Sequence, residues 1–360
     1  MSLSLPSTRD EAWRWSDLSG LEALVSQSKR DVAVDVASLW IGTGPRLLFV
    51  DGRYEAEGSR PGPVVVGAVD AASAHPLGRL AQGNGWALTL DKDAVAGAPP
   101  IEIVHVATGG ANHVPASIEL AEDAHASIVE TYVGDGWANR LTRIALGRSA
   151  RLMRAIRIVQ ETGFVSLRDE ARLDAGASLV TTLLGGGGAG TRLDAEIRIE
   201  GPGAFAEHGG ALLARGEQRH DAAVVVHHGS AEGTSRQLWR AVADDRATTS
   251  MAARVEVARD AQKTDGEQSL RGLMLKRTAT VNLKPELEIF ADDVKCAHGA
   301  TVGELDAQAL FYMTSRGITP DRARALLTQA FIADALSRIG DEAVREAFQA
   351  DAEAWLEERA

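Results

Sequence analysis

The chain has 360 residues, 45% of them hydrophobic and 24% charged, with a formal net charge of -12 at pH 7 and a single cysteine. This composition is typical of a folded soluble protein, while the acidic balance disfavours nucleic acid as a partner because it repels phosphate. Because it lacks the apolar run of a secretory signal or of a membrane span, the sequence predicts a cytoplasmic protein without membrane contact.

Residues 1–95 are predicted to form an N-terminal region of mixed, partly helical structure. The segment STRDEAWRWSDLSGLEALV begins with candidate N-cap residues and offers Trp13, Leu18 and Leu21 as apolar contacts. Further along, RLLFVDGRYE predicts two strands joined by the Asp-Gly pair at 51–52, since Asp-Gly is a favoured two-residue hairpin turn.

Residues 96–302 are predicted to form the β core. Short segments of alternating apolar residues are separated by turns rich in Gly, Asp and Ala, such as RLDAGASLV and VARDAQKTDG. Similar segments begin at Leu152, Leu173 and Leu193, a spacing of about 20 residues that suits a sandwich, a barrel or a solenoid.

Two features of this core favour a solenoid. The inward positions are small, and aromatic residues are only 5% of the chain, which suits the narrow core of a coil wound on itself. Asn-Gly and Asp-Gly pairs, the usual signals of tight hairpins, are few between the segments. We therefore predict a parallel β-helix whose end strands have to be capped or paired with another chain.

Residues 303–360 are predicted to form three helices that cap the end of the strands. The first, ELDAQALFYMTSRG, is expected to end at Gly317 as its C′ residue. The second begins with Thr319 as N-cap and stops at Gly340, and Asp341 caps the third.

The sequence KCAHG carries the most distinctive chemistry of the chain. If Cys296 and His298 lie on one strand, they point to the same face with Cα atoms about 6.5–7 Å apart. A thiolate and an imidazole at that spacing could hold one soft or borderline metal ion, but they supply only two ligands of four. The alternative is a buried cysteine acting as a small apolar side chain beside a hydrogen-bonded histidine.

Other candidate motifs are weaker. The run GGGGAG lacks the Gly-Lys-Ser/Thr that a phosphate-binding loop requires, so it predicts a flexible corner. His220, His227 and His228 are interpreted as surface or corner residues, because adjacent residues on a strand point to opposite faces and cannot chelate together.

Four segments carry a family resemblance. PELEIFADDVKCAHGATVGELDAQALFYMTSRGI (285–318) is the longest, and AQKTDGEQSLRGLML, DEAWRWSDL and SIVETYVGDG support it in the expected order. Together they resemble the SufD family, subunits of the SUF machinery that builds iron–sulfur clusters. The related SufB subunit usually carries Glu where His298 stands, so the chain is more similar to SufD.

The resemblance implies a mainly β protein, a right-handed parallel β-helix with flanking N- and C-terminal helical regions. It implies a non-catalytic scaffold that forms a heterodimer with SufB through the β-helix ends and binds SufC, the subunit expected to hydrolyse ATP. A transient iron–sulfur cluster would lie at the SufB interface, with His298 and Cys296 as a metal half-site that SufB completes. A homodimer in isolation and a flavin in the assembled complex stay open.

Candidate contacts with SufC follow from the same resemblance. Phe311, Tyr312 and Arg316 on the first C-terminal helix and Phe331 on the second are expected to face SufC, with core packing as the alternative. Two other functions also stay open: a β-helix enzyme acting on polysaccharide, and a metal-free homodimeric adaptor for SufC.

Overall fold

Seventeen strands and five α-helices make up most of the computed structural model, which describes residues 4–30, 34–160 and 162–357. The helices are α1 (Leu21–Val25), α2 (Val36–Leu39), α3 (Ala307–Ser315), α4 (Pro320–Leu336) and α5 (Glu342–Glu357). The strands are β1 (Arg46–Val50), β2 (Arg53–Arg60), β3 (Val64–Val69), β4 (Gly83–Leu90), β5 (Val95–Leu120), β6 (His125–Leu146), β7 (Arg151–Ile158), β8 (Phe164–Leu173), β9 (Ser178–Gly185), β10 (Gly190–Ile199), β11 (Phe205–Ala214), β12 (Arg219–His228), β13 (Thr234–Ala243), β14 (Thr248–Val257), β15 (Asp265–Met274), β16 (Thr280–Ile289) and β17 (Lys295–Gly303).

Most strands belong to two parallel stacks that face each other. The A sheet runs from β4 through the second halves of β5 and β6 to β8, β10, β12, β14 and β16. The B sheet runs from β1 through the first halves of β5 and β6 to β7, β9, β11, β13, β15 and β17. The predicted parallel β-solenoid with flanking helices is therefore confirmed.

The expected repeat of about 20 residues is wrong. One rung spans both sheets, so the step is longer: 26 residues from Phe164 to Gly190, and 32 from Thr248 to Thr280. Leu152 lies in the B sheet beside Leu179, whereas Leu173 lies in the A sheet. The recurring leucines thus come from different sheets and are not equivalent positions of successive rungs.

The core consists of columns of aliphatic side chains, one from each rung. One A-sheet column is Ile118, Ile144, Ala171, Ile197, Val226 and Val255, all buried. One of the turns between strands also has the same conformation in successive rungs. In each of these turns, a residue with positive φ donates its N–H to a carbonyl in the corresponding turn of the next rung. This ladder runs from Asp93, Asp123 and Ser149 through Gly176, Gly203 and Glu232 to Lys263.

The N-terminal region follows the sequence prediction in its hairpin and its apolar cluster. The predicted N-cap at Ser7 or Thr8 is wrong, because the first helical turn, the 3₁₀ helix Glu11–Trp13, has Asp10 as its N-cap. β1 and β2 pair antiparallel around Asp51 and Gly52, which have φ values of 49° and 76° and form the expected tight turn. Trp13, Leu18 and Leu21 are buried in one cluster beside the solenoid, as predicted. The segment around them lies against the outer face of the A sheet.

The C-terminal helices do not cap the end of the strands, which corrects the prediction. α4 and α5 lie across the outer face of the B sheet, where Ile332 and Phe348 pack against Leu184, Leu213 and Val242. These outward-facing aliphatic residues of the sheet require a cover, and the helices provide it. No helix within the described ranges is long and apolar enough to cross a bilayer.

The predicted helix boundaries are mostly confirmed. Gly317 has a φ of 88°, and the N–H of Ile318 bonds to the Met313 carbonyl, the bond expected of a Schellman motif after α3. Thr319 is the N-cap of α4, although that helix ends at Leu336 instead of continuing to Gly340. The predicted cap of α5 is also present, since the Asp341 carboxylate accepts the N–H of Val344 at 3.0 Å.

Candidate metal half-site

The last rung of the solenoid is open on one side. β17 pairs in parallel with β15, and no strand within the described ranges pairs with its other edge. Every residue of β17 except Cys296 is exposed, and most of β16 is only half-buried. An edge of this kind presents unpaired N–H and C=O groups that can accept a strand from another chain.

Cys296 and His298 point inward from this open rung. Cys296 lies beside Gly266 of β15, and His298 lies beside Gln268. Because Gly266 has no Cβ, the Cys296 sulfur has room: a Cβ built at Gly266 would lie 3.4 Å from Sγ. The geometry therefore brings thiol and imidazole to the same face, as the i, i+2 spacing predicts.

The Cys296 thiol is half-buried among apolar side chains. It packs against a small cluster that includes Val255 and Leu287. Burial raises the thiol pKa, and the negative charge of Asp265 acts in the same direction, although a bond from the Gly266 backbone opposes them. The protonated form is thus favoured at neutral pH, so a bound metal ion or a nearby cation is needed to generate the thiolate.

Cys296 and His298 are the two candidate ligands on this face. Among the described residues, no group of three or more His, Cys, Asp and Glu side chains is placed to hold a metal ion. Structural sites for borderline metals usually need four ligands, so the predicted pair would amount to half of one.

The predicted SufC contacts separate into two groups. Phe311 and Tyr312 on α3 are 74% and 59% exposed, and the Arg316 guanidinium lies 4.9 Å from the centre of the Tyr312 ring. Phe331 on α4 is half-buried against the cluster on the outer face of the B sheet, 5.9 Å from Arg240. Phe331 therefore contributes to packing, whereas the α3 residues form an open surface.

The interpretation of the histidines in β12 is wrong for two of the three. His220 and His228 are buried, because β12 points its even-numbered residues into the solenoid. Burial lowers the pKa of each to about 4, which keeps the rings neutral. His227 points outward and is half-buried beside Glu256, with 2.5 Å between Nδ1 and the carboxylate.

Sequence reasoning missed the polar side chains inside the solenoid. Arg154 donates to Glu130 and Asp169 at 2.5 Å and to Thr142 at 3.1 Å, all of them buried. Gln237 and Gln268 are also buried there. Strand alternation would have found Gln268, because it stands between the inward residues Gly266 and Leu270.

A flavin does not fit the wide groove on the A sheet. This groove, of about 730 Å³, lies on the outer face of the A sheet and is lined by charged side chains that include Arg143, Arg168, Arg172, Glu170 and Glu196. Arg168 pairs with Glu196 at 2.6 Å, and His75 is the one ring in the lining. A flavin ring system requires mainly apolar or aromatic walls, whereas the described residues of this lining mix small apolar side chains with charged ones and include no Trp, Tyr or Phe.

The fold is a two-sheeted β-solenoid whose terminal strand is open on one edge and carries the candidate pair Cys296 and His298. Residues 104–331 match the family model for the SufBD core domain of SUF system FeS cluster assembly. The chain therefore belongs to the SufBD family, as a SufD member. Its role is in iron–sulfur cluster assembly by the SUF system.

Relatives agree with this assignment. The iron–sulfur cluster assembly protein SufD of Escherichia coli is 28% identical, and the alignment covers 95% of this chain and 87% of the relative. The SufBD family protein slr0076 of Synechocystis is 27% identical, with 94% and 84% covered. Protein ABCI7 of Arabidopsis thaliana chloroplasts is 31% identical over 63% of this chain and 49% of its own length.

Proposed function

We propose that this chain is the SufD scaffold subunit of a SUF complex. It pairs with SufB through the open rung, binds the ATPase SufC through its C-terminal helices, and contributes His298 and Cys296 to a transient iron–sulfur cluster between the two chains. Iron and sulfide are cargo, and ATP hydrolysis belongs to SufC. The observation that carries the proposal is that both ligands lie on the exposed terminal strand.

The surface of the last rung supports pairing with another chain. Ile289, Phe290 and Val302 are 39%, 66% and 44% exposed at this end of the solenoid. Large exposed apolar side chains beside an unpaired strand edge favour burial by a partner. A strand from SufB would extend the backbone ladder of β17 and cover these side chains in one step.

The ligand chemistry supports a site shared between chains. A neutral imidazole and a thiolate are both suitable ligands for iron in a cluster environment. Because the Cys296 thiol pKa is raised by burial, metal binding has to displace a proton. Two ligands hold a cluster weakly, so assembly would proceed only once SufB supplies the others.

The position of α3 suggests how SufC could act on the site. β17 ends at Gly303 and α3 begins at Ala307, so the two elements are joined by three residues. Phe311 and Tyr312 give α3 an exposed aromatic surface, and none of its residues is buried. A SufC subunit that moves α3 would therefore shift β17 and open or close the interface.

The same edge could pair with a second copy of the chain. The open strand and exposed aliphatic residues are not specific to SufB, so an isolated sample is expected to form a homodimer at high concentration. SufB should displace the second copy because it adds ligands to the cluster. A stable homodimer that binds SufC and rejects SufB would instead identify a metal-free adaptor.

Replacing His298 by Ala tests the proposal. In co-expressed complexes of this chain with SufB and SufC, His298→Ala should lower the cluster content per complex several-fold. Complex formation should stay intact, because the proposed pairing uses the backbone ladder of β17 and not this side chain. The exposed His125 gives a matched control, and His125→Ala should leave the cluster content unchanged. Equal cluster contents in all three complexes would remove His298 from the mechanism.

A further inference from the structure

A column of glutamines runs through the solenoid and ends beneath His298. Gln237 of β13 lies beside Gln268 of β15, and Gln268 lies beside His298 of β17. Both glutamines are 1% exposed. Successive members are neighbours on adjacent strands, about 4.8 Å apart along the column.

Both glutamines bind the opposite sheet in the same way. The Nε2 of Gln237 donates to the Arg254 carbonyl at 3.1 Å, and the Nε2 of Gln268 donates to the Glu286 carbonyl at 3.3 Å. Each side chain thus crosses the lumen and fixes its amide against the A sheet. This leaves the Oε1 atoms of Gln237 and Gln268 buried and without a hydrogen-bond partner in the described residues.

A buried acceptor favours any donor that reaches it. For Gln237, the next rung offers the second Nε2 hydrogen of Gln268. For Gln268, the neighbour in register on β17 is His298, whose ring N–H is a donor of the right kind. The column therefore places an anchored, unpartnered oxygen on the residue whose neighbour in register on β17 is His298, so a rotation of the imidazole toward the lumen would bring its N–H to that oxygen.

We propose that Gln268 positions His298, its Oε1 accepting the N–H of one ring nitrogen and leaving the other nitrogen to face the partner chain. The bond fixes the tautomer of the neutral ring and directs its lone pair out of the open rung. Ligating histidines commonly donate their second nitrogen to a fixed oxygen in this way. The inference deepens the proposed half-site and rests on it for its consequence in cluster assembly.

The test compares two variants of the full-length chain. Gln268→Met keeps the volume but removes the acceptor, and Gln237→Met makes the same change one rung deeper. The readout is the pair of ¹⁵N chemical shifts of the His298 ring, recorded at alkaline pH so that the shifts report the tautomer. Exposed His125 serves as the internal reference.

In the wild-type chain and in Gln237→Met, the His298 shifts should differ from those of His125 and indicate one dominant tautomer. In Gln268→Met they should move to the values of His125. Identical His298 shifts in the wild-type chain and in Gln268→Met would overturn the inference, as would the same change in Gln237→Met, which would indicate a general loss of packing.

A second arm separates this inference from the proposed function. Cluster content is measured in complexes with SufB and SufC, where Gln268→Met should lower it roughly 10-fold or more and Gln237→Met should not. If the tautomer changes but cluster content does not, Gln268 positions a histidine that is not a ligand, and the proposed half-site fails. If His298→Ala lowers cluster content but the tautomer is insensitive to Gln268, the positioning role alone fails.

Discussion

Arg154 shows how a charged side chain is stabilised inside the solenoid. Its guanidinium is enclosed by Glu130, Asp169 and Thr142. Burial alone would raise the pKa of Asp169, but Arg154 outweighs it and holds that pKa at about 2. A buried charge of this kind is stable only where oppositely charged and hydrogen-bonding groups surround it. The register of the neighbouring strands brings those groups to Arg154.

For Asp221, the effect of burial on the pKa outweighs the effect of its polar neighbours. Asp221 is 4% exposed on the outer face of the A sheet, under the N-terminal segment, where the Ser16 hydroxyl donates to it at 2.8 Å. Burial raises its pKa from 3.8 to about 6, even though Ser16 and Arg192 favour the charged form. The folded protein therefore binds this proton more tightly than the unfolded chain does, and stability falls as pH rises from about 4 to 6.

Asp221→Asn should remove that pH dependence. The variant is expected to gain little at pH 4.5 and about 1–3 kcal/mol in the free energy of unfolding at pH 8, where the native carboxylate is charged at a cost. Urea denaturation at the two pH values measures the difference. An increase in the free energy of unfolding that is equal at the two pH values, or larger at pH 4.5, would contradict the raised pKa of Asp221.

The terminal strand β17 is the element on which the proposed function depends. Sequence reasoning predicted that the ends of the solenoid need a cap or a partner, and alternation placed Cys296 and His298 on one face. Sequence reasoning could not predict that α4 and α5 cover the B sheet. The helices pack on outward-facing aliphatic residues such as Leu184 and Val242, and in the sequence these residues cannot be distinguished from the inward-facing core residues of a strand. That these helices leave the β17 end of the solenoid uncovered is therefore known only from the structure.

Thiol labelling locates this element in the assembled complex. Cys296 is the one cysteine of the chain, so a maleimide at pH 8.5 reports on β17 alone. Cys296 should react in the free chain and be protected several-fold when SufB is bound, because the partner strand would cover it.

The matched control is a variant whose single cysteine lies away from the open edge of β17. Glu217 is exposed in the turn between β11 and β12, and Glu217→Cys in a Cys296→Ser background should label equally with and without SufB. Cys296 labelling that is unaffected by SufB, in a complex verified to be intact, would place the interface elsewhere on the molecule.

At the scale of the whole molecule, the sequence predicted the class of fold better than its repeat. Small apolar residues and scarce aromatics indicated a solenoid, but the true rung of 26 to 32 residues was hidden because each rung carries two strands with turns of unequal length. The boundaries proposed at residues 95 and 302 stay a prediction. The polar column of Gln237 and Gln268 could not be recognised without the register that aligns it with His298.

The central claim is that this chain holds half of a cluster site that only another chain completes. Anaerobic reconstitution with Fe²⁺ and sulfide, followed by Mössbauer spectroscopy, tests it on the monomer isolated by size exclusion and on the complex with SufB. We predict no stoichiometric cluster on the monomer and one on the complex. A full cluster on the isolated monomer, unaffected by His298→Ala, would contradict the account.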